Sequence, residues 1–248
     1  MSKNIFLSPS EYLRYSRQII LKEFGISGQK KIKDTTVLII GIGGIGCQCA
    51  MQLSLVGIGR IILADYDVVE KSNLNRQFLY KEKDIGLSKS KTAKDQLFSL
   101  NPNVEYIYFS KKIFGKKLKS SIEISNIVLD CSDDLKTRYL INRYCIEYNK
   151  VFITGSCILY SVQILVFRSF KYGCYACVFP RIKNNYTCQN YGIFISSSSL
   201  AGTLQAMEAI KIALNFKEEK KNYLFSFDIR KMRFKKAKIF KDKYCKFC

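Results

Sequence analysis

Three short runs of the chain are almost wholly apolar: Val37-Leu38-Ile39-Ile40, Ile61-Ile62-Leu63-Ala64 and Ile127-Val128-Leu129. A strand with one wet face alternates polar and apolar residues. A strand buried on both faces does not, so these runs predict parallel strands inside an α/β sheet. Around them the apolar period lengthens to that of helices. Residues 11–24 read as a helix, with Leu13, Ile20 and Phe24 on one face and Arg14, Arg17 and Gln18 polar. Further helices are predicted over 47–56, 88–100, 135–149 and 200–215. The first of these is stopped by Gly57 and Gly59, and the second ends before Asn101-Pro102. Strands are predicted at 36–40, 60–65, 104–109, 127–130 and 151–154. After these the character changes: 162–167 reads as a strand, and 223–227 and 232–239 read as antiparallel strands. The strand–helix–strand unit over 36–65 and its repetition predict a doubly wound, Rossmann-like, mostly parallel sheet with a C-terminal antiparallel portion. No repeat or linker interrupts the 248 residues, so the chain reads as one domain.

Composition adds limits rather than detail. Hydrophobic residues make up 48% and charged residues 25%, which is globular and not disordered. No apolar run reaches the roughly 18 residues of a membrane span. The opening fifteen residues lack a signal-peptide core and already carry Glu11 and Arg14, so a cytoplasmic protein is expected. The net charge is +21, from 41 Lys and Arg against 20 acids. Nine basic residues and one acid, Asp242, fall in 230–248, and the rest of the excess is spread along the chain. Lys, Ile, Asn, Tyr and Phe are abundant and Trp is absent, a bias that fits AT-rich codons better than a nucleic-acid footprint. Neither nucleic acid nor membrane is expected as a partner. An acidic protein and a triphosphate would both be drawn by the charge. The absence of histidine removes Ser-His-Asp triads, Cys-His pairs and His-ligated metals.

Gly41-Ile42-Gly43-Gly44-Ile45-Gly46 follows a predicted strand and opens a predicted helix. That context makes Gly-x-Gly-x-x-Gly a phosphate-binding loop, because bare backbone N–H groups and the helix N-terminus face the anion. Asp65 ends the next strand, 19 residues past Gly46, where an acid can hold ribose hydroxyls. Beyond it run Tyr66-Asp67 and Ser72-Asn73-Leu74-Asn75-Arg76-Gln77, then Lys89. Spacing alone leaves two readings of this run: a solvated loop, or positive charge gathered for a triphosphate. Asp133 likewise reads either as a helix-capping acid ahead of 135–149 or as a site residue.

Cys174-x-x-Cys177 and Cys245-x-x-Cys248 are two metal-type pairs, and two such pairs read as a closed, structural Cys₄ zinc site rather than a redox motif. Cys47, Cys49, Cys131, Cys145 and Cys157 lie in predicted elements and read as core. Cys188 belongs to neither pair and by composition reads as a small packed residue.

Several motifs occur in order: Arg14-Tyr15-Ser16-Arg17-Gln18, the glycine loop, Asp65-Tyr66-Asp67, Ser72 to Gln77, Leu129-Asp130-Cys131-Ser132-Asp133, and Gly202-Thr203-Leu204-Gln205-Ala206-Met207-Glu208-Ala209-Ile210-Lys211. Together they resemble the ThiF/MoeB family, bacterial relatives of ubiquitin-activating enzymes, over nearly the whole chain. The resemblance implies ATP-dependent adenylation of the C-terminal Gly-Gly carboxylate of a ubiquitin-like sulfur carrier. It implies a nucleotide-binding part over 11–155 and a carrier-binding, zinc-containing part over 156–248. Gly41, Gly43, Gly44 and Gly46 would lie along the phosphates, and Asp65 would hold the ribose. Asn73, Arg76 and Lys89 would contact phosphates, with Asp67, Ser72, Leu74 and Asn75 beside them. Asp133 matches the acid that holds Mg²⁺. Asp134 stands where the family usually has Asn, and a second acid there can sit near the metal. Arg17 would reach the neighbouring subunit's site in a homodimer, and Cys174, Cys177, Cys245 and Cys248 would hold Zn²⁺. In the thiamin branch a cysteine near Cys188 forms a covalent sulfur link to the carrier, which also implies a sulfurtransferase or desulfurase as donor. Here Ile193-Phe194-Ile195 and Ser196 to Ser199 replace the usual small residues and Pro downstream. The thiamin carrier is the first expectation and the small subunit of molybdopterin synthase the second. A nicotinamide-dependent dehydrogenase would rest on the glycine loop and Asp65 alone, and a catalytically silent carrier-binding protein would leave the cations and Asp133 without a role.

Overall fold

The computed structural model describes residues 5–180, 192–216 and 221–248. β-branched and leucine-rich runs give the strands β1 (Thr36–Ile40), β2 (Arg60–Ala64), β3 (Glu105–Phe109), β4 (Ile127–Asp130), β5 (Val151–Ile158), β6 (Ser161–Phe167), β7 (Tyr223–Asp228) and β8 (Arg233–Lys238). They form one sheet in the order β3-β2-β1-β4-β5-β6-β7-β8. The first five strands are parallel, and β6, β7 and β8 are antiparallel additions. The predicted doubly wound, mostly parallel sheet with an antiparallel C-terminal portion is therefore present, and the sheet runs without a break across residue 155.

Side chains alternate across the strands and so feed two cores. Val37, Ile39, Ile61 and Leu63 point to one face, under α3 (Gly25–Asp34), α4 (Gly44–Leu55), α5 (Lys89–Leu100) and α9 (Ile195–Ala213). Leu38, Ile40, Ile62 and Val128 point to the other, under α6 (Gly115–Ile124), α7 (Leu135–Glu147) and α8 (Tyr175–Val178). The α9 helix is tethered to β7 by Glu208, a fully buried carboxylate that accepts from the Tyr223 hydroxyl and from Lys211 Nζ at 2.9 Å. Among the described residues, no helix is long and apolar enough to cross a membrane.

The predicted helix over 11–24 is corrected. It is two short helices, α1 (Pro9–Arg14) and α2 (Ser16–Ile19), followed by α3, which the pattern did not show. The break falls at Tyr15, whose buried ring lies against Gly57 and whose hydroxyl accepts from Asn101 Nδ2 at 2.9 Å. A continuous helix would carry that ring out of its seat. The α1 start is fixed by Ser8 and Glu11, which cap one another's backbone N–H groups. Lys33 pairs with Glu11 at 2.7 Å.

The glycine loop is fixed by contact as well as by conformation. Gly41 has φ +87°, a region that L side chains rarely adopt. At Gly46 a Cβ would overlap the Gly41 carbonyl oxygen. Gly46→Ala is expected to cost about 1–3 kcal/mol through overpacking. For a chain of this size that lowers Tm by about 2–4 °C per kcal/mol. An unchanged melting curve would show that the loop tolerates the methyl group and that this contact is misjudged.

Candidate active site

Every parallel strand ends at the same edge of the sheet, and strand order reverses between β1 and β4. A crevice opens at such a switch point. Here it is a cleft of about 770 Å³. Gly41, Gly43 and Gly44 come to it from the end of β1, Asp65 and Asp67 from β2, Lys111 and Lys112 from β3, Asp133 and Asp134 from β4, and Ser156 from β5. The loop after β2 adds Asn73, Asn75, Arg76 and Gln77, and Lys89 enters from the first turn of α5.

The glycine loop leaves the start of α4 bare. Its N-cap is Gly43, with no side chain to occupy the first N–H groups. A Cβ on Gly43 would come no nearer than 3.8 Å to Gln77 Nε2, so the loop's face is open to the cleft. Asp65 braces the loop from below, accepting from Ile42 N at 2.6 Å and from Asp67 N at 2.9 Å. Burial raises the Asp65 pKa, and those N–H groups and Lys89 only partly offset it. Lys89 is buried, with Nζ 3.2 Å from Asp67 Oδ2. Arg76 is held by the Ser72 carbonyl at 2.9 Å and by Asn75 Oδ1 at 3.0 Å. Asn73 Oδ1 and Gln77 Oε1 are buried without a hydrogen-bond partner among the described residues. A buried orphan acceptor costs about 1–3 kcal/mol, so this part of the cleft favours an added donor or cation.

The two acids after β4 part company. Asp134 is the N-cap of α7 and accepts from Lys136 N and Thr137 N, each at 3.1 Å, and from Thr137 Oγ1. Burial opposes its charge, but these bonds and Lys112 outweigh it and hold its pKa below the usual carboxylate value. Asp133 is exposed to the cleft and has no hydrogen-bond or ion-pair partner among the described residues. The capping role that the spacing allowed for Asp133 thus falls to Asp134. Behind them Asp130 is fully buried and accepts from Ser132 Oγ at 2.6 Å and Thr154 Oγ1 at 2.7 Å. Arg138 joins this group through Asp130 at 3.3 Å and the Gly155 carbonyl at 3.0 Å.

Not every expected residue meets the cleft. Gly46, Ser72 and Leu74 are not among the residues that line it. Arg17 is exposed on α2 and is not brought to the cleft of its own chain. Cys188 lies outside the described residues. Lys111, Lys112, Gln77 and Arg138 line the cleft and were not among the expected site residues. The signal for the lysines was their place just past a parallel strand's carboxyl end.

The cysteine pairs meet as expected from their spacing. Cys174 Sγ lies 3.9 Å from Cys177 and 3.7 Å from Cys245, and Cys248 lies 3.5 Å from Cys177 and 3.7 Å from Cys245. Four sulfurs about 2.3 Å from a central zinc sit about 3.8 Å apart in a tetrahedron, so the cluster fits that ion. Backbone N–H groups of Phe247 and Cys248 overcome the effect of burial and bring the Cys245 thiol down to about 7. Cys47, Cys49, Cys131, Cys145 and Cys157 are buried core residues. Burial pushes Cys47 up to about 12 and raises Cys131 and Cys145, which keeps these thiols protonated and unreactive at neutral pH.

Fold and cleft together define a doubly wound α/β protein with a glycine-loop anion site and a cluster of cations at its switch point. The chain belongs to the ThiF family, whose model matches residues 15–247. It is 37% identical over 242 residues to the adenylyltransferase and sulfurtransferase MOCS3 of Xenopus laevis, covering 96% of this chain and 53% of that protein. The chain therefore spans about half the length of that relative. It is 37% identical over 208 residues to the sulfur carrier protein ThiS adenylyltransferase of Escherichia coli strain K12, covering 83% of each. Among solved structures, E. coli MccB with succinimide superposes with a TM-score of 0.81 at 25% identity, covering 95% of this chain and 74% of that one.

Proposed function

We propose that this chain adenylates the C-terminal glycine carboxylate of a ubiquitin-like sulfur carrier with ATP, as a ThiS-type adenylyltransferase of thiamin biosynthesis. The observation that carries the reading is the convergence on one cleft of the open glycine loop, Asp65, the cations Arg76, Lys89, Lys111 and Lys112, and the unpartnered Asp133. The match to the E. coli ThiS adenylyltransferase over 83% of both chains favours the thiamin pathway. The equal identity to MOCS3 keeps activation of the molybdopterin carrier as the second reading. A nicotinamide dehydrogenase would have no use for Asp133 or for this many cations.

In this reading a carboxylate oxygen of the carrier bonds to the α-phosphorus of ATP. The bond from that phosphorus to the bridging oxygen breaks, and pyrophosphate leaves with the electron pair. The nucleophile is already an anion, so no strong base is needed and the lack of histidine is no obstacle. What the reaction needs is alignment and neutralised phosphate charge. Asp65 would accept from the ribose hydroxyls. The N–H groups at the start of α4, with Arg76, Lys89 and Lys112, would hold the phosphates. Asp133 would hold Mg²⁺, which supplies further neutralisation of the triphosphate. Arg17, exposed on α2 near the exposed side chains of Leu13 and Ile20, would serve the partner's cleft in a homodimer. The whole chain 1–248 would act as one cytoplasmic adenylation domain, with a sulfurtransferase or desulfurase supplying sulfur and Cys188 the candidate for its covalent handling.

Carrier-dependent ATP–pyrophosphate exchange, run side by side with a ThiS-type and a molybdopterin-type carrier, tests this. Exchange with the first only is the expected result. Exchange with the second only would move the protein to the molybdopterin pathway. Exchange with neither, from folded protein, would overturn adenylation itself.

A further inference from the structure

Two fully buried asparagines flank the turn that presents the first cysteine pair. Cys174 is the N-cap of α8, and Cys177 lies within that helix. Asn222 stands on one side of the turn. Its Nδ2 donates to the carbonyls of Ser169 and Gly173, both at 2.8 Å, and its Oδ1 accepts from Arg168 N and Ser169 N. Its own carbonyl accepts from Ile239 N at 2.9 Å, which holds the segment leading to Cys245. Every polar atom of that side chain is therefore used. Asn142 stands on the other side, and its side chain is only half used. Oδ1 accepts from Tyr175 N at 2.9 Å, the residue next to Cys174. Nδ2 is buried and has no hydrogen-bond partner among the described residues.

A buried donor left unpaired costs about 1–3 kcal/mol, so the idle Asn142 amide calls for an acceptor. Its bond to Tyr175 N pins that amide beside Cys174. Burial pushes the Cys174 thiol up to about 11, and the Asn142 side chain and the Cys177 N–H are the first contacts to oppose it. The four sulfurs are not equally placed. Cys174 is fully buried, whereas Cys177, Cys245 and Cys248 are partly exposed and within reach of water. Cys245 also faces the Phe247 N–H at 3.5 Å. Four thiolates around Zn²⁺ leave a net double negative charge. At a sulfur that water cannot reach, that charge must be met by donors of the protein itself.

We infer that Asn142 Nδ2 donates to the Cys174 thiolate when Zn²⁺ is bound, which makes Asn142 a positioning residue of the metal centre. The inference rests on the zinc reading of the four cysteines and is independent of the proposed adenylation. As each sulfur bonds the ion its thiol proton passes to solvent, and nothing is oxidised or reduced. The Cys174 sulfur then becomes an acceptor for the one amide N–H group that the fold leaves idle beside it. Through Oδ1 the same side chain holds Tyr175 N, so one amide sets both the start of α8 and the charge on its first sulfur. Partners of this kind orient metal ligands, and their loss typically costs 10–100-fold in metal affinity.

The test is Asn142→Ala in the full chain, with Asn142→Ser as a milder companion that keeps a smaller polar group. The zinc Kd is measured by competition with a chelator of known affinity. The absorption spectrum is then recorded with Co²⁺ in place of Zn²⁺. The zinc Kd is expected to rise about 10–100-fold in the alanine variant and less in the serine variant. The sulfur-to-cobalt charge-transfer band should move to longer wavelength, because a sulfur without its N–H partner gives up electron density more easily. The visible cobalt bands should keep their tetrahedral intensity, since all four thiolates still bind. This shift separates donation from mere support of α8. A Kd that rises with an unmoved charge-transfer band would assign Asn142 only its bond to Tyr175 N and overturn the inference. A wild-type Kd and spectrum in both variants would overturn it as well, leaving the zinc centre intact. Wild-type protein that binds neither Zn²⁺ nor Co²⁺ would overturn the zinc reading and this inference together.

Discussion

Replacing Asp133 by alanine is expected to cut carrier-dependent pyrophosphate exchange by about 10³-fold, close to 4 kcal/mol of transition-state stabilisation. The fold should survive. The side chain is exposed and has no partner among the described residues, so no internal bond is lost. The cap of α7 is also untouched, because Asp134 supplies it. This separation makes the experiment decisive. A loss of activity at unchanged Tm means that Asp133 acts on something outside the chain. Exchange that persists within tenfold of wild type would remove the metal assignment. Asp134→Ala should behave in the opposite way. It is expected to cost about 1 kcal/mol of stability through the lost cap and to leave most exchange intact. The Asp133→Ala variant also tests the dimer. Arg17→Ala mixed with Asp133→Ala forms mixed pairs in which one site has both residues. About a quarter of wild-type activity should then return from two inactive proteins. No recovery on mixing, in protein shown to exchange subunits, would place Arg17 outside the neighbouring site.

How much of this was visible in the sequence depends on what each segment answers to. The strands β1, β2 and β4 were legible because burial on both faces leaves no polar choice along the run. The loop Gly41 to Gly46 was legible because Gly41 and Gly46 meet backbone that a side chain would overlap, while Gly43 leaves the loop's face open. The α3 helix was not legible. It carries Gly25 and Gly28 and buries Gln29, and it makes sense only where Leu214 at the end of α9 meets Gly28. The α6 helix offers only Leu118 and Ile122 as buried apolar residues, too thin a stripe for its period to show. The α9 helix begins at Ile195 rather than Leu200, because Ser197 and Ser198 are buried despite a composition that reads as loop. In the cleft the motif residues could be named, but their division of labour could not. Adjacent Asp133 and Asp134 are equivalent in sequence, and only the backbone direction at the start of α7 makes one a cap and leaves the other to the cleft. Lys111 and Lys112 were hidden by abundance, since two lysines carry little information in a chain of 41 Lys and Arg.

Stripping zinc from the four-cysteine cluster is expected to lower Tm by about 10 °C or more, which at this size corresponds to at least ~3 kcal/mol. The last strand explains why so much rests there. All of β8 is exposed, so the strand brings little apolar burial of its own. Past it only Ile239 is buried, while Phe247 lies 6.1 Å from the Tyr139 ring. Cys174 and Cys245 are 71 residues apart, and an ion joining them closes that segment into a loop. The effect should also reach the cleft, because α7 lies between the two sites. Asn142 of α7 accepts from Tyr175 N at 2.9 Å and the Tyr139 hydroxyl donates to the Phe179 carbonyl, so that face holds α8 and its cysteines. Arg138 on the same helix holds Asp130 and the Gly155 carbonyl behind the nucleotide cleft. Loss of the ion should therefore raise the KM for ATP a few-fold as well as lower Tm. Elemental analysis should give one zinc per chain in the native protein and none in C245S/C248S. That variant should match the stripped wild type in both Tm and KM. Native protein without zinc, or a stripped protein that melts where the native one does, would leave the four thiols as a packing cluster. The end of the chain would then rest on packing such as that of Ile239 and Phe247 and on the Ile239 N–H bond to the Asn222 carbonyl.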